Sequence, residues 1–139
     1  MKPLRLDTNV LVRFVTGEPA NQAARVAALF AAAEAGKVRL AVLPMVLAET
    51  VFVLTGFYAH PRSKVAKILA QLITCPGVHA EERQRILHAL GLFGAGKMDF
   101  VDCYLAAASV LEMRPVVSFD KDFDKLHGVS RIMPGGDVG

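Results

Sequence analysis

Cysteine is scarce in this chain, which has only Cys75 and Cys103 among its 139 residues. Two cysteines cannot build the disulfide framework of a small secreted domain, and they form no Cys-x-x-Cys motif or Cys/His cluster that would bind zinc. We therefore expect two reduced, buried thiols in a cytoplasmic protein. The polar excess of a disordered chain is also missing, because 53% of the residues are hydrophobic.

Segments for targeting or membrane insertion are also lacking. Residues 1–7 contain no apolar run, so we expect no signal peptide. The segment 40–61 is long enough to span a bilayer, and Glu49 is its only charged residue. A carboxylate near the middle of a span is costly, however, and Pro44 interrupts the segment. We therefore interpret it as a buried strand followed by a buried helix, and we expect no membrane association.

Short apolar runs alternate with helical patterns along the chain, and no internal repeat, low-complexity tract or linker separates them. This alternation predicts a parallel sheet that is covered by helices on both faces. We expect a single domain over residues 1–139, of three-layer α/β/α class, with a short, mostly parallel central sheet of four to five strands. The predicted strands are 4–6, 38–42, 78–79, 115–119 and 130–132, and the predicted helices are 8–15, 19–35, 44–54, 62–73, 81–92 and 99–113, with a helical turn in 120–126.

Acidic residues lie near the ends of predicted strands, which is where ligands bind in open α/β sheets. Asp7 ends the first strand and Asp120 follows the fourth, so both are expected to face one crevice. Asp99 and Asp102 open the helix just before that fourth strand. Glu49 is expected to place a carboxylate against a buried face, where it would need an ion pair or a metal. Because oxygen ligands select hard ions, the expected metal is Mg²⁺ or Mn²⁺.

Each of these acids also has a purely structural interpretation. Asp7 alternatively belongs to a turn or caps a helix, and Asp99 with Asp102 alternatively forms an acidic relative of the capping box. The segment 120–124 alternatively is a solvated acidic loop, and Glu49 alternatively joins a buried ion pair. Four acids that are distant in the sequence lie at positions that one sheet can bring together. Their combination favours the metal site over four separate structural roles.

The segment Gly91–Lys97 matches the G-x-x-x-x-G-K pattern of phosphate-binding loops. Such a loop follows a strand and has Ser or Thr after the lysine, whereas here a helical pattern precedes the segment and Met98 follows it. A receiver or phosphatase domain is disfavoured too, because Asp7 is the only acid at its strand end. We therefore expect no nucleotide cofactor.

The sequence resembles the PIN-domain ribonucleases, and specifically the VapC-type toxins of toxin–antitoxin pairs. The resemblance covers nearly the whole chain, and the order and spacing of its motifs make it more specific than any one of them. Its motifs are LDTNV at 6–10, LAETV at 47–51, DFVDCYLAA at 99–107 and SFDKDF at 118–123.

This resemblance implies a set of active-site residues. The acidic quartet, catalytic and metal-binding, is Asp7, Glu49, Asp102 and Asp120. Asp99 is then a secondary metal ligand, and Asp122 competes with Asp120 for the fourth ligand position. Polar residues that support the site are Thr8, Asn9 and Ser118. One or two bound ions would activate a water and stabilise the leaving oxygen, and the resemblance implies endonucleolytic cleavage of RNA that leaves 5′-phosphate and 3′-hydroxyl ends.

The resemblance also implies partners: an RNA substrate, a cognate VapB-like antitoxin and a second copy of the chain. The apolar segment 43–58, with Phe52, Phe57 and Tyr58, is the candidate protein interface, and core burial is its alternative. The alternative function is a catalytically silent PIN fold that binds RNA or protein. Candidate contacts to the RNA backbone are Arg13, Arg62, Lys64, Lys67, Lys97 and Lys121. The net charge of +3 understates the basic character of the surface if five acids share one crevice.

Overall fold

The computed structural model describes residues 1–136. In this range, short strands alternate with helices in the order that the sequence predicts, and the bounds differ by a few residues at the element ends. The elements are β1 (Leu4–Arg5), α1 (Thr8–Thr16), α2 (Ala20–Glu34), β2 (Leu40–Val42), α3 (Pro44–Gly56), α4 (Arg62–Ile73), β3 (Val78–Ala80), α5 (Arg83–Ala95), α6 (Phe100–Glu112), β4 (Val116–Val117), a 3-10 helix (Lys121–Lys125) and β5 (Arg131–Ile132).

All observed strand pairs are parallel, which confirms the three-layer α/β/α class. Strand β2 lies between β1 and β3, and its residue Leu40 pairs with Leu4 on one side and Val78 on the other. Strands β4 and β5 pair separately from these three. The expected single sheet of four to five strands is therefore observed as one sheet of three strands and one of two. Strands of two residues, such as β1 and β4, offer few backbone groups for a longer ladder.

Two groups of buried side chains correspond to these two sheets. The larger core lies among α1 to α6 and the first three strands, with Leu40 and Leu69 fully buried in it. The smaller core consists of Ala106, Val116 and Phe123. Helix α6 contributes to both cores, so it connects the region of β1–β3 with the region of β4–β5.

The apolar segment 40–61 is a strand followed by a helix, as predicted. Strand β2 is buried along its whole length. Helix α3 buries only one face, with Leu47, Val51 and Leu54, and it exposes Met45 and Phe52 on the other. Among the described residues, the structure contains no helix that is long and apolar enough to cross a membrane.

Helix α5 settles the conformation of the apparent phosphate-binding motif. Residues 91–95 lie inside this helix, so the glycine-rich stretch is not a loop that follows a strand. The helix begins at Arg83 rather than at Glu81, because Glu82 adopts a left-handed conformation with φ 55°. The two glutamates therefore precede the first turn of α5 instead of lying within it.

Both cysteine thiols are free. Cys103 is buried, as predicted, and burial is the main reason that its pKa is raised to about 11. Cys75 is half-buried rather than fully buried, since it lies just after the end of α4.

Candidate active site

Asp7 lies at the carboxyl end of β1, beside the carboxyl end of β2 from which α3 starts. The parallel pairing of β1 with β2 places these two ends at the same edge of the sheet. Asp7 is the N-cap of α1, and its Oδ1 accepts a hydrogen bond from the Thr8 N–H at 2.8 Å. The capping role is therefore real. It uses one acceptor position of an exposed carboxylate that has about four.

Glu49 is exposed, which makes the expectation of a buried carboxylate wrong. Helix α3 turns Leu47, Val51 and Leu54 into the core, and Glu49 lies on the opposite side. Its neighbours one turn away on that side are Met45 and Phe52. Glu49 therefore does not need an internal partner, and its carboxylate is open to ligands from solvent.

The start of α6 carries two acids, and the side chain of the N-cap residue forms no capping hydrogen bond. Asp99 is the N-cap, but its exposed carboxylate accepts no capping hydrogen bond. Asp102 lies in the first turn and is half-buried. The capping-box interpretation would have both side chains bonded to backbone N–H groups, and Asp99 departs from it. The helix dipole favours negative charge at this end.

Asp120 precedes the 3-10 helix in a compact turn. Its Oδ1 accepts a hydrogen bond from the Asp122 N–H at 2.8 Å, and its own N–H donates to Ser118 Oγ at 2.9 Å. Both acids are exposed. Ser118, predicted as a supporting residue, thus fixes the backbone on which Asp120 is carried.

The two other acids of this segment differ in their partners. The Asp122 carboxylate lies 3.1 Å from Lys125 Nζ, in an exposed ion pair. Asp124 receives two hydrogen bonds of 3.0 Å from Arg131, whose guanidinium also donates to Ser118 O. Arg131 therefore holds Asp124 in a structural contact that ties the 3-10 helix to β5.

The pKa of Asp102 depends on acids at the start of α6 and on acids around the 3-10 helix. Its pKa is raised, first by burial and then by Asp99, Asp120 and Asp122. The charges of Asp99, Asp120 and Asp122 therefore act on Asp102 from the start of α6 and from the segment of the 3-10 helix. Asp7 and Glu49 are not among the causes of this shift.

The donor set fits a hard divalent ion in its chemistry, because it consists of carboxylate oxygens that repel one another. The spacing is wider than a coordination shell. Among residues 1–136, no three His, Cys, Asp or Glu side chains are close enough together to hold a metal ion.

A cleft of about 670 Å³ connects α3 with the start of α6. Its lining includes Phe52 and Thr55 from α3, Arg62 from α4, and Asp99 and Asp102 at the start of α6. The cleft therefore combines apolar and acidic side chains.

The basic residues predicted to contact RNA differ in whether they already form hydrogen bonds within the protein. Arg13 donates to Gln22 Oε1 at 2.7 Å. Arg62 is engaged inside the protein, where it donates to two backbone carbonyls. Lys97 and Lys121 are exposed, each within two residues of a predicted acid. These two lysines are the better placed for phosphate contacts beside the acidic group.

Sequence reasoning missed a polar cluster at the end of β3. Tyr104 Oη donates to the Glu82 carboxylate, and Arg85 forms ion pairs with Glu82 and Glu112. The hydrogen bond from Tyr104 is the main reason that the pKa of Glu82 is lowered. The signal for Glu82 was its position directly after a strand, the same signal that identified Asp7.

The family model for the PIN domain matches residues 5–129, and the chain belongs to the PIN domain family. A comparison with curated proteins gives no match. PIN domains are generally nucleases, which act on nucleic acids and generally use divalent metals. The resemblance seen in the sequence motifs is thus confirmed at the level of the family.

Proposed function

We propose that this PIN domain is a Mg²⁺- or Mn²⁺-dependent endoribonuclease. One observation carries the proposal: Asp99 and half-buried Asp102 line one cleft, and burial together with the charges of Asp99, Asp120 and Asp122 raises the pKa of Asp102. Packing a carboxylate among like charges destabilises the metal-free fold, and a divalent cation would relieve the repulsion.

In this proposal, Asp7 and Asp102 hold the ion, and Asp99 is a secondary ligand. Glu49 and Asp120 complete the ligand set or position the attacking water as a base. Asp120 is favoured over Asp122 as the fourth acid, because Asp122 already pairs with Lys125. When bound, the ion would lower the pKa of a water and stabilise charge on the leaving oxygen.

Polar neighbours keep these acids in place. Ser118 accepts the Asp120 N–H, and buried Thr8 donates its N–H to Asp7. Asn9 is exposed in the first turn of α1, next to Thr8, and we propose that it also supports the site. The two hydrogen bonds fix the backbone that carries Asp120 and one oxygen of the Asp7 carboxylate, so that less ordering is needed when an ion binds.

For the RNA substrate we propose contacts with basic residues around the acidic group. Lys97 and Lys121 are exposed beside Asp99 and Asp120, and Arg13 lies on α1, which Asp7 caps. Ammonium and guanidinium groups at such positions bind backbone phosphates and release counterions, so binding would weaken with salt.

We further propose the biological role of a VapC-type toxin that forms a homodimer and is inhibited by a VapB-like antitoxin. The support is an exposed apolar face at the predicted interface segment. Met45, Phe52 and Phe57 are 85%, 77% and 83% exposed. Apolar side chains of this size that cluster on a surface are typical of contact sites for other proteins.

Cleavage of RNA by the purified chain tests the enzymatic proposal. We expect Mg²⁺ or Mn²⁺ to support endonucleolytic cleavage, chelator to stop it, and the double variant Asp99→Asn/Asp102→Asn to lack it. Glu34→Gln, which removes an exposed acid from α2, is the matched control and should cleave like the wild type. A wild-type chain that binds RNA without metal-dependent cleavage would instead be a silent binding module.

The toxin role is tested separately from the chemistry. Expression of the wild type should arrest growth, the double variant should not, and the neighbouring upstream reading frame should encode a small DNA-binding protein. Co-expression with that protein should restore growth. Light scattering should give the mass of a dimer, and a monomer would contradict the proposed self-association.

A further inference from the structure

Arg62, the first residue of α4, connects the end of α5 with the residue that precedes α6. Its Nε donates to Phe93 O at 3.1 Å, and its Nη2 donates to Met98 O. The guanidinium also lies over the Phe93 ring, with Cζ 3.7 Å from the centroid. A planar guanidinium can donate in two directions and stack at once, which a lysine ammonium cannot do.

The two carbonyls that Arg62 binds lie at the end of α5 and just before α6, where the helices provide no backbone N–H donor for them. Phe93 O belongs to the last turn of α5, whose C-terminal carbonyls have no helical donor. Met98 O lies in the connection to α6, immediately before the N-cap Asp99. Arg62 therefore bridges the last turn of α5 and the connection that leads to the acid-bearing start of α6.

Close packing around this junction supports the role of Arg62. At Gly94, an added Cβ would lie 2.9 Å from Ala66 Cβ, so α4 approaches α5 where only glycine fits. The Phe93 and Phe100 rings meet edge to face, with centroids 5.9 Å apart. Helix α4 is thus packed against the end of α5, and the end of α5 is packed against the start of α6.

We propose that Arg62 is a positioning residue that fixes Asp99 and Asp102 for binding of a divalent cation, an inference that rests on the proposed function. The reason is geometric. Met98 directly precedes Asp99, and the first helical hydrogen bond of α6 runs from the Cys103 N–H to Asp99 O at 3.0 Å. Without Arg62, Met98 O would keep only the weak donor Cys103 Sγ at 3.6 Å, and the first turn of α6 with both acids would be held less firmly.

The test uses Arg62→Met, which keeps the apolar stem, and Arg62→Lys, which keeps the charge. Arg25→Met is the matched control, because Arg25 is exposed on α2. The first measurement is the rise in unfolding temperature on titration with Mn²⁺ alone. We expect the half-saturating Mn²⁺ concentration to increase by roughly tenfold or more in Arg62→Met and by less in Arg62→Lys, as for the loss of other residues that orient metal ligands.

The second measurement is amide hydrogen exchange over residues 96–104, which reports the junction without any metal. We expect severalfold faster exchange there in Arg62→Met, with α2 unchanged. A role in overall stability alone would accelerate exchange throughout the protein and leave the Mn²⁺ midpoint unchanged, and that result would overturn the proposal. If Arg62→Met does not fold, the Mn²⁺ midpoint and exchange of Arg62→Lys decide in the same way.

The two proposals fail in different ways. A wild type that Mn²⁺ does not stabilise and that does not cleave RNA overturns the proposed function. Exchange over 96–104 then decides alone whether Arg62 orders the junction: acceleration in Arg62→Met supports it, and unchanged exchange overturns it. A wild type that responds to Mn²⁺, with a variant that responds identically, overturns only the role of Arg62.

Discussion

The carboxylates at the 3-10 helix and those at the start of α6 differ in what surrounds their charge. Asp124 receives two hydrogen bonds from Arg131, and this contact lowers its pKa. Asp102 has the opposite environment, where burial and neighbouring acids raise its pKa. In the part of the chain that the structure describes, neither Asp99 nor Asp102 takes part in an ion pair.

The difference shows that one residue type serves two purposes within a short distance. Arg131, with a side chain 12% exposed, uses Asp124 to fasten the 3-10 helix to β5. The acids at α6 instead add repulsion to the metal-free fold. Proteins accept such local cost where function requires it, so the comparison separates an acid in a structural contact from acids that are candidates for function.

The largest expected effect is on catalysis at Asp7. Asp7→Asn should lower metal-dependent RNA cleavage by about 100-fold or more, because loss of a proposed metal ligand should cost at least as much as loss of a residue that only orients one. The fold should be retained, since an asparagine Oδ1 can still accept the Thr8 N–H. Cleavage rates of purified proteins with matched circular dichroism test this. Full activity of the variant would contradict the assignment of Asp7.

The next effect separates stability from function at Asp102. Because the pKa of Asp102 is raised on folding, its ionised form destabilises the protein at pH values above that pKa. Asp102→Asn should therefore raise the metal-free unfolding temperature by a few degrees at neutral pH, with little gain in acid. It should also remove the stabilisation by Mn²⁺. Thermal unfolding with and without Mn²⁺ measures both, and a destabilised variant that still responds to Mn²⁺ would refute the prediction.

A smaller and opposite effect is expected at Asp124. Asp124→Asn removes the charge that Arg131 binds, so the unfolding temperature should fall by a few degrees. The Mn²⁺ response should persist, because Asp124 is already occupied by Arg131. Since the pKa of Asp124 is lowered on folding, its contribution to stability is lost in the wild type as the pH falls through that pKa. A variant without Mn²⁺ response would move Asp124 into the functional group.

The smallest effect is expected at the Tyr104–Glu82 hydrogen bond, in a cluster at the end of β3. Tyr104→Phe removes the main cause of the lowered pKa of Glu82, whose ordinary value is 4.5. Stability from this carboxylate is present above its ordinary pKa and disappears as the pH falls through the folded value. The variant should hence be slightly less stable than the wild type near pH 7 and equal to it in acid. Unfolding temperatures over that range test this, and a difference that grows in acid would be inconsistent with it.

Much of the fold was predictable because its signals are local. Pro44 begins α3, and Gly17 ends α1 in the left-handed conformation. Both are residue types that favour helix ends whatever the tertiary structure, so they can be identified in the sequence. The separation of the strands into a three-stranded and a two-stranded sheet was not predictable. Whether such short strands form hydrogen bonds depends on how the neighbouring helices pack. The exposure of Glu49 was missed for a similar reason. Helix α3 is apolar on nearly all sides, so periodicity could not tell its buried face from its exposed one.

By itself, the sequence determined the family of the protein and the acids at the ends of its elements, because motifs and caps depend on neighbours along the chain. Only the tertiary structure decided which groups surround each charged side chain. Asp124 meets Arg131, Asp102 meets other acids, and Arg62 turns inward to the carbonyls of Phe93 and Met98 instead of outward to RNA. These pairings join residues from separate elements, and electrostatic interactions depend on distance and burial, which are properties of the folded chain.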